Sequence, residues 1–120
     1  MKKGLIVLAH GSKVAETDEI MTQYVETIQK NVPFEYVEKA YLQMMSPGLA
    51  DAVSNLYAAE VKDIVVFPFF LFNGNHIQED IPAELDALKA EYADINFTFM
   101  SNIGYEPKLA EIVAERIGRL

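Results

Sequence analysis

The chain has 120 residues, 51% of them hydrophobic, with 10 Lys+Arg against 18 Asp+Glu for a formal net charge of −8, and it contains neither Cys nor Trp. That length and apolar fraction fit one compact domain spanning 1–120 and exclude a disordered chain, while the missing cysteines exclude disulfides, thiolate catalysis and thiolate-held zinc or iron–sulfur clusters. The acidic balance argues against nucleic acid as a partner, and no run approaches the roughly 20 apolar residues of a membrane span, so a cytoplasmic protein without membrane or nucleic-acid partners is expected.

Gly4 to Ala9 is a continuous apolar run closed by a glycine at position 11, as a strand buried on both faces reads. From Val14 to Lys30, Ile20, Met21, Tyr24, Val25 and Ile28 recur at helical spacing, and Glu16, Asp18 and Glu19 crowd the first turn, where the helix dipole favours them. Phe34 to Leu42 mixes β-formers with charges and predicts a second, edge strand. Ser46-Pro47 reads as a helix start, a capping hydroxyl followed by proline at the first helical position, with Leu49, Ala52, Val53, Leu56 and Tyr57 on the apolar face.

Ile64 to Phe72 is the most apolar segment, and Pro68 within it lacks a ladder donor, so the third strand is expected to stop near Phe67. Beyond Asn73-Gly74-Asn75, the residues Leu85, Leu88 and Tyr92 mark a third helix, whose start relative to Ile81-Pro82 stays open. Ile95, Phe97 and Phe99 alternate as a fourth strand, and Leu109, Ile112, Val113 and Ile117 mark a fourth helix. Four β-α units predict a single doubly wound α/β layer, a four-stranded mostly parallel sheet in the order 2-1-3-4 with helices on both faces. In such a sheet ligands bind outside the carboxyl ends of the strands, at the switch between strands one and three.

Both histidines of the chain fall there: His10 directly after strand one and His76 a few residues after strand three. Adjacent strands lie about 4.8 Å apart, so the two loops can bring both imidazoles to one ion or substrate. Glu79 and Asp80 follow His76 at a spacing that shares a helix face; they either assist a base or ligand or simply complement the dipole of helix three. Ser12 lacks the G-x-S-x-G elbow of a serine hydrolase and is expected to cap helix one. Its hydroxyl, the free amides of that turn and Lys13 can also receive a ligand carboxylate. Asn73-Gly74 reads as a loop that lets backbone approach a ligand, and Met44, Met45, Phe69, Phe70 and Phe72 as core or dimer surface, with pocket lining the lesser reading.

Three stretches together are specific: LIVLAHGS at the start, AYLQMMSPGLADAV in the middle and VVFPFFLFNGNHIQEDIPAEL after strand three. They resemble the small CbiX-type sirohydrochlorin cobaltochelatases and the related sirohydrochlorin ferrochelatases, the class II chelatases, and the resemblance covers essentially the whole chain. It implies insertion of Co2+ or Fe2+, as metal substrate and with no organic cofactor, into sirohydrochlorin on the routes to cobalamin or sirohaem. It implies that His10 and His76 bind the metal and serve the macrocycle, with Gln43 and Glu79 near the ion. Ser12, Lys13, Met44, Asn73, Gly74 and Asn75 are the expected substrate contacts. Gln43 stands where the family usually has glutamate, and Lys13 where many relatives have arginine. An amide keeps one oxygen but cannot take a proton, so a second reading is a non-catalytic tetrapyrrole or metal carrier. Relatives on longer chains have two such lobes around a cleft, so a homodimer is implied, with Phe69 to Phe72 expected in the contact.

Overall fold

The computed structural model describes residues 2–72 and 74–120, except for the side chains of residues 75–78. Eight elements alternate along the chain: β1 (Lys3–Ala9), α1 (Glu16–Asn31), β2 (Tyr36–Tyr41), α2 (Leu49–Ala58), β3 (Asp63–Pro68), α3 (Asn75–Glu91), β4 (Asn96–Phe99) and α4 (Pro107–Ile117). The strands form one parallel sheet in the order β2-β1-β3-β4, as the β-α alternation predicts.

β1 is central because its residues are apolar on both sides of the pleat. Ile6 and Leu8 face one layer and Leu5, Val7 and Ala9 the other, all buried. The first layer is thick: α2 supplies Leu49, Ala52, Val53 and Leu56, and α3 supplies Ile81, Leu85 and Leu88, against Ile64 and Val66 of β3. Each fully buried Val, Leu or Ile side chain among these stabilises by about 1.5–3 kcal/mol relative to exposure. On the other face α1 buries Met21 and half-buries Val25 and Ile28. β2, which alternates with charges, takes an edge as expected.

Several local expectations are corrected. Ser46-Pro47 does not start α2; that peptide bond is cis, and the helix begins at Leu49 with Gly48 at its N-cap. The Pro47 carbonyl instead accepts a bond from Tyr41 N–H at 2.9 Å, returning the loop to the end of β2. β3 extends to Pro68, and Phe69 N–H still donates to the Leu8 carbonyl at 2.7 Å, because the proline's missing donor falls at the last position of the strand. α3 begins well ahead of Ile81, with Pro82 inside it.

The largest departure is α4. It starts as a helix should, with Pro at the first turn and the Glu106 carboxylate accepting from Lys108 N–H at 3.0 Å. None of its residues is buried, and Val113 and Ile117 are 63% and 61% exposed. The radius of gyration is accordingly 15.2 Å, against roughly 14 Å for a compact domain of this length.

Candidate functional site

The carboxyl edge is built by extending the ladder past the formal strand ends. Leu42 N–H donates to the Ala9 carbonyl at 2.9 Å and Gln43 N–H to the His10 carbonyl at 3.1 Å, so the backbones of His10 and Gln43 are joined directly. Gly11 makes this possible. Its φ is +90°, and a Cβ there would sit 2.0 Å from the Gln43 carbonyl oxygen, which only glycine tolerates. Beyond Gln43 the chain turns through Met44, at φ +67° and 62% exposed, and returns to bridge Tyr41 with Gly48.

The His10 side chain is exposed, and its ring lies against Phe70, centroids 4.6 Å apart. Phe70 is itself buried, whereas Phe69 is half-buried and Leu71 and Phe72 are exposed. The Phe69 to Phe72 segment therefore divides: one ring anchors the imidazole, and two side chains remain for a ligand or partner. Leu71 and Phe72 open onto a groove of about 400 Å³ shared with Tyr105, Leu109 and Val113.

Beneath this edge is a polar clamp that the sequence reading missed. The buried Tyr41 hydroxyl donates to Asp18 Oδ1 at 2.6 Å, and Lys39 Nζ sits 2.8 Å from the same oxygen. The Lys39 ammonium, and then the tyrosine hydroxyl, hold Asp18 below the usual aspartate range; burial, and then Asp18, push the Tyr41 hydroxyl well above its ordinary pKa. The signal was present in the period-two placement of Val37, Lys39 and Tyr41 on the α1 side of β2. By sequence position alone Asp18 is only a partner for the dipole of α1.

Ser12 does not cap α1, whose N-cap is Ala15 without a side-chain bond. Its hydroxyl oxygen accepts from Val14 N–H at 3.0 Å and lies 2.5 Å from Thr17 Oγ1, pinning the turn before the helix. Lys13 beside it is exposed. Across the switch point, Gly74 is the N-cap of α3, with nothing within 4 Å of a Cβ built there. Position 76 falls in the first turn of α3, and Glu79 follows one turn on, exposed. Asn73 and the side chains of Asn75 and His76 lie outside the described residues. Farther along α3, Glu84 is half-buried, and burial together with the charge of Asp80 raises its pKa. Among the described residues no three His, Asp or Glu side chains gather as a metal cage.

The edge thus offers an exposed imidazole on a rigid backbone, beside an amide and an apolar groove. The whole defines a doubly wound α/β protein, a class in which ligands bind at the carboxyl edge of the sheet. The chain belongs to the CbiX family, whose model matches residues 4–120. It is 32% identical over 120 residues to the sirohydrochlorin cobaltochelatase of Saccharolobus solfataricus, covering 95% of this chain and 92% of that one. To the chloroplastic sirohydrochlorin ferrochelatase of Arabidopsis thaliana it is 30% identical over 114 residues, covering 95% of this chain but 51% of the relative. The crystal structure of the sirohydrochlorin chelatase SirB from Bacillus subtilis subspecies spizizenii, in complex with cobalt, shares the fold at a TM-score of 0.92 and 22% identity, over 100% of this chain and 51% of that one. The chain therefore spans about half the length of these two longer proteins.

Proposed function

We propose that this chain is a sirohydrochlorin metal chelatase that inserts Co2+ or Fe2+ into the macrocycle, acting as a homodimer in the cytoplasm. The observation that carries the reading is the family match across residues 4–120, with His10 standing open at the strand switch point. Metallation must bring a divalent ion to the face of the ring and remove two pyrrole N–H protons. Neutral imidazole does both, as a ligand for late first-row metals and as a base near neutral pH. His10 fills this role from the end of β1 and His76 from the first turn of α3.

Gln43, whose backbone is bonded to that of His10, brings one side-chain amide oxygen to this edge and leaves proton acceptance to the imidazoles and Glu79. An open site fits delivery, since a fully caged ion would not be released to the ring. The substrate is a carboxylate-rich ring and the protein carries a net charge of −8, so long-range steering opposes binding. Lys13, Ser12 and the N-terminus of α3 are the local donors that offset this, and Leu71 and Phe72 give the ring an apolar bed. The carrier reading rests on Gln43 alone and is not favoured, since relatives of this length are named as chelatases.

The test mixes protein, sirohydrochlorin and Co2+ or Fe2+ and follows the metallation band against the rate without protein. Acceleration is expected; ring binding with a rate equal to the blank rejects catalysis. Gln43→Glu in the same assay is expected to raise the rate roughly tenfold, equal to about 1.4 kcal/mol, by restoring a charged ligand.

A further inference from the structure

One turn at the carboxyl edge is built against the backbone preference of its own residue. After Gln43, whose N–H is bonded to the His10 carbonyl, the chain reverses so that the Pro47 carbonyl accepts from Tyr41 N–H and Gly48 bridges Tyr41. The reversal is made at Met44, at φ +67°. In that left-handed region a Cβ crowds the following carbonyl, so glycine, or asparagine and aspartate, ordinarily holds such a position. The same edge uses glycine in this way one loop away, at Gly11. A methionine at this angle is strained, and the strain has to be offset by something the side chain does.

Packing does not offset it. The next residue, Met45, is half-buried against the α1-side core, whereas Met44 belongs to neither core cluster and is 62% exposed. Its position supplies another reason. Met44 stands past the exit of β2, beyond the last ladder bond and so outside the locked part of that exit. Phe72 stands exposed past the exit of β3, and His10 leaves β1 between them. Neighbouring strands lie about 4.8 Å apart, so the strands that carry these two apolar groups are roughly 10 Å apart with the imidazole in the middle. A tetrapyrrole macrocycle is about as wide as that gap. A thioether is polarizable and packs well against a flat conjugated ring, and strained backbone is characteristic of positions that hold a ligand.

We propose that Met44 is a binding residue for the macrocycle, which lies across the exits of β2, β1 and β3 with its centre over His10, Met44 under one side and Phe72 under the other. This rests on the chelatase reading above and states how the ring is oriented on the edge. Met44 touches the ring rather than the ion, so it sets affinity and leaves metal insertion to the histidines.

The mark of this role is that stability and binding move in opposite directions. Met44→Gly removes the Cβ that opposes φ +67°, and Met44→Asn supplies a residue that tolerates it. Glycine also loosens the unfolded chain, so the asparagine variant carries the stability comparison, and its urea midpoint is expected to equal or exceed that of the wild type. In a fluorescence titration with metal-free sirohydrochlorin, both variants are expected to raise the dissociation constant about tenfold or more. Met44→Leu, apolar but no easier on the backbone, is expected to stay within about threefold of the wild type. In the metallation assay KM rises with kcat unchanged, for Co2+ and Fe2+ alike. Glycine and asparagine variants that bind the ring as the wild type does overturn the proposal and leave the chelatase reading standing; a wild-type protein that does not bind sirohydrochlorin overturns both. A lowered urea midpoint for Met44→Asn assigns the side chain to the fold, a fall in kcat at unchanged KM assigns it to the ion, and a weakened dimer in sedimentation assigns it to contact between copies. Each of these results rejects the proposal.

Discussion

The exits of β1 and β2 and the exits of β3 and β4 share one edge of the sheet but are held by different means. At the first, the ladder continues through Leu42 and Gln43, Gly11 is locked at a positive φ against the Gln43 carbonyl, and the Tyr41–Asp18–Lys39 clamp ties α1 to β2 beneath. At the second, backbone bonds hold the linker, while Leu71, Phe72 and Tyr105 stand exposed around a groove. One side positions a chemical group; the other offers surface. Substitutions at the first exit should therefore alter chemistry and stability, and those at the second should alter binding with little change in stability.

The strongest test of that division is His10→Ala, expected to slow metallation by about 10²-fold or more with little change in unfolding, because the side chain is exposed. A variant that keeps the wild-type rate removes His10 from the site. Next is Gly11→Ala. The added Cβ meets the Gln43 carbonyl and forces φ +90° on an alanine, so a loss of about 1–3 kcal/mol is expected in urea unfolding, together with slower metallation. An unaffected alanine variant would mean that the His10–Gln43 junction is not rigid.

Tyr41→Phe leaves the Asp18 carboxylate without its hydroxyl donor and is expected to cost about 1 kcal/mol. The same clamp sets an acid dependence. Asp18 is held below its ordinary pKa of 3.8, so its contribution is present in full above that value and is lost as the pH falls through it toward the lowered one. Lys39→Ala, which removes the main cause of the shift, should flatten the acid limb of a stability-against-pH curve. The smallest stability effect belongs to Phe72→Ala at the second exit. With the ring 80% exposed, stability should change by less than about 0.5 kcal/mol, while the macrocycle binds more weakly in a fluorescence titration. A large loss of stability would show that Phe72 packs in solution as a core residue does.

Most of the fold is legible in the sequence because its signals are local. A continuous apolar run makes β1 central, charges interleaved with β-formers put β2 at an edge, and helical spacing marks all four helices. The place of His10 was legible for the same reason, since a histidine directly after a buried strand must stand at the carboxyl edge. Helix starts were read less well. Ser46-Pro47 has the right residues for a cap, yet the bond from Tyr41 N–H to the Pro47 carbonyl draws it into a loop; Ser12 likewise pairs with Thr17 rather than capping α1. Capping residues are equally good turn residues, and the choice is made by partners distant in sequence or one turn away.

Strand order and the class of the sheet were determined by the sequence alone, because hydrophobic periodicity and the right-handed β-α-β crossover leave few alternatives. Three things were decided only in three dimensions. Gly11 is required because a carbonyl 32 residues away occupies the space of a side chain. Asp18 serves a tyrosine on β2 rather than only its own helix dipole. The apolar stripe of α4, indistinguishable by periodicity from those of α2 and α3, finds no core within its own protomer. Periodicity reports that a face must be buried; the path of the linker, tied to β3, determines which surface is within reach.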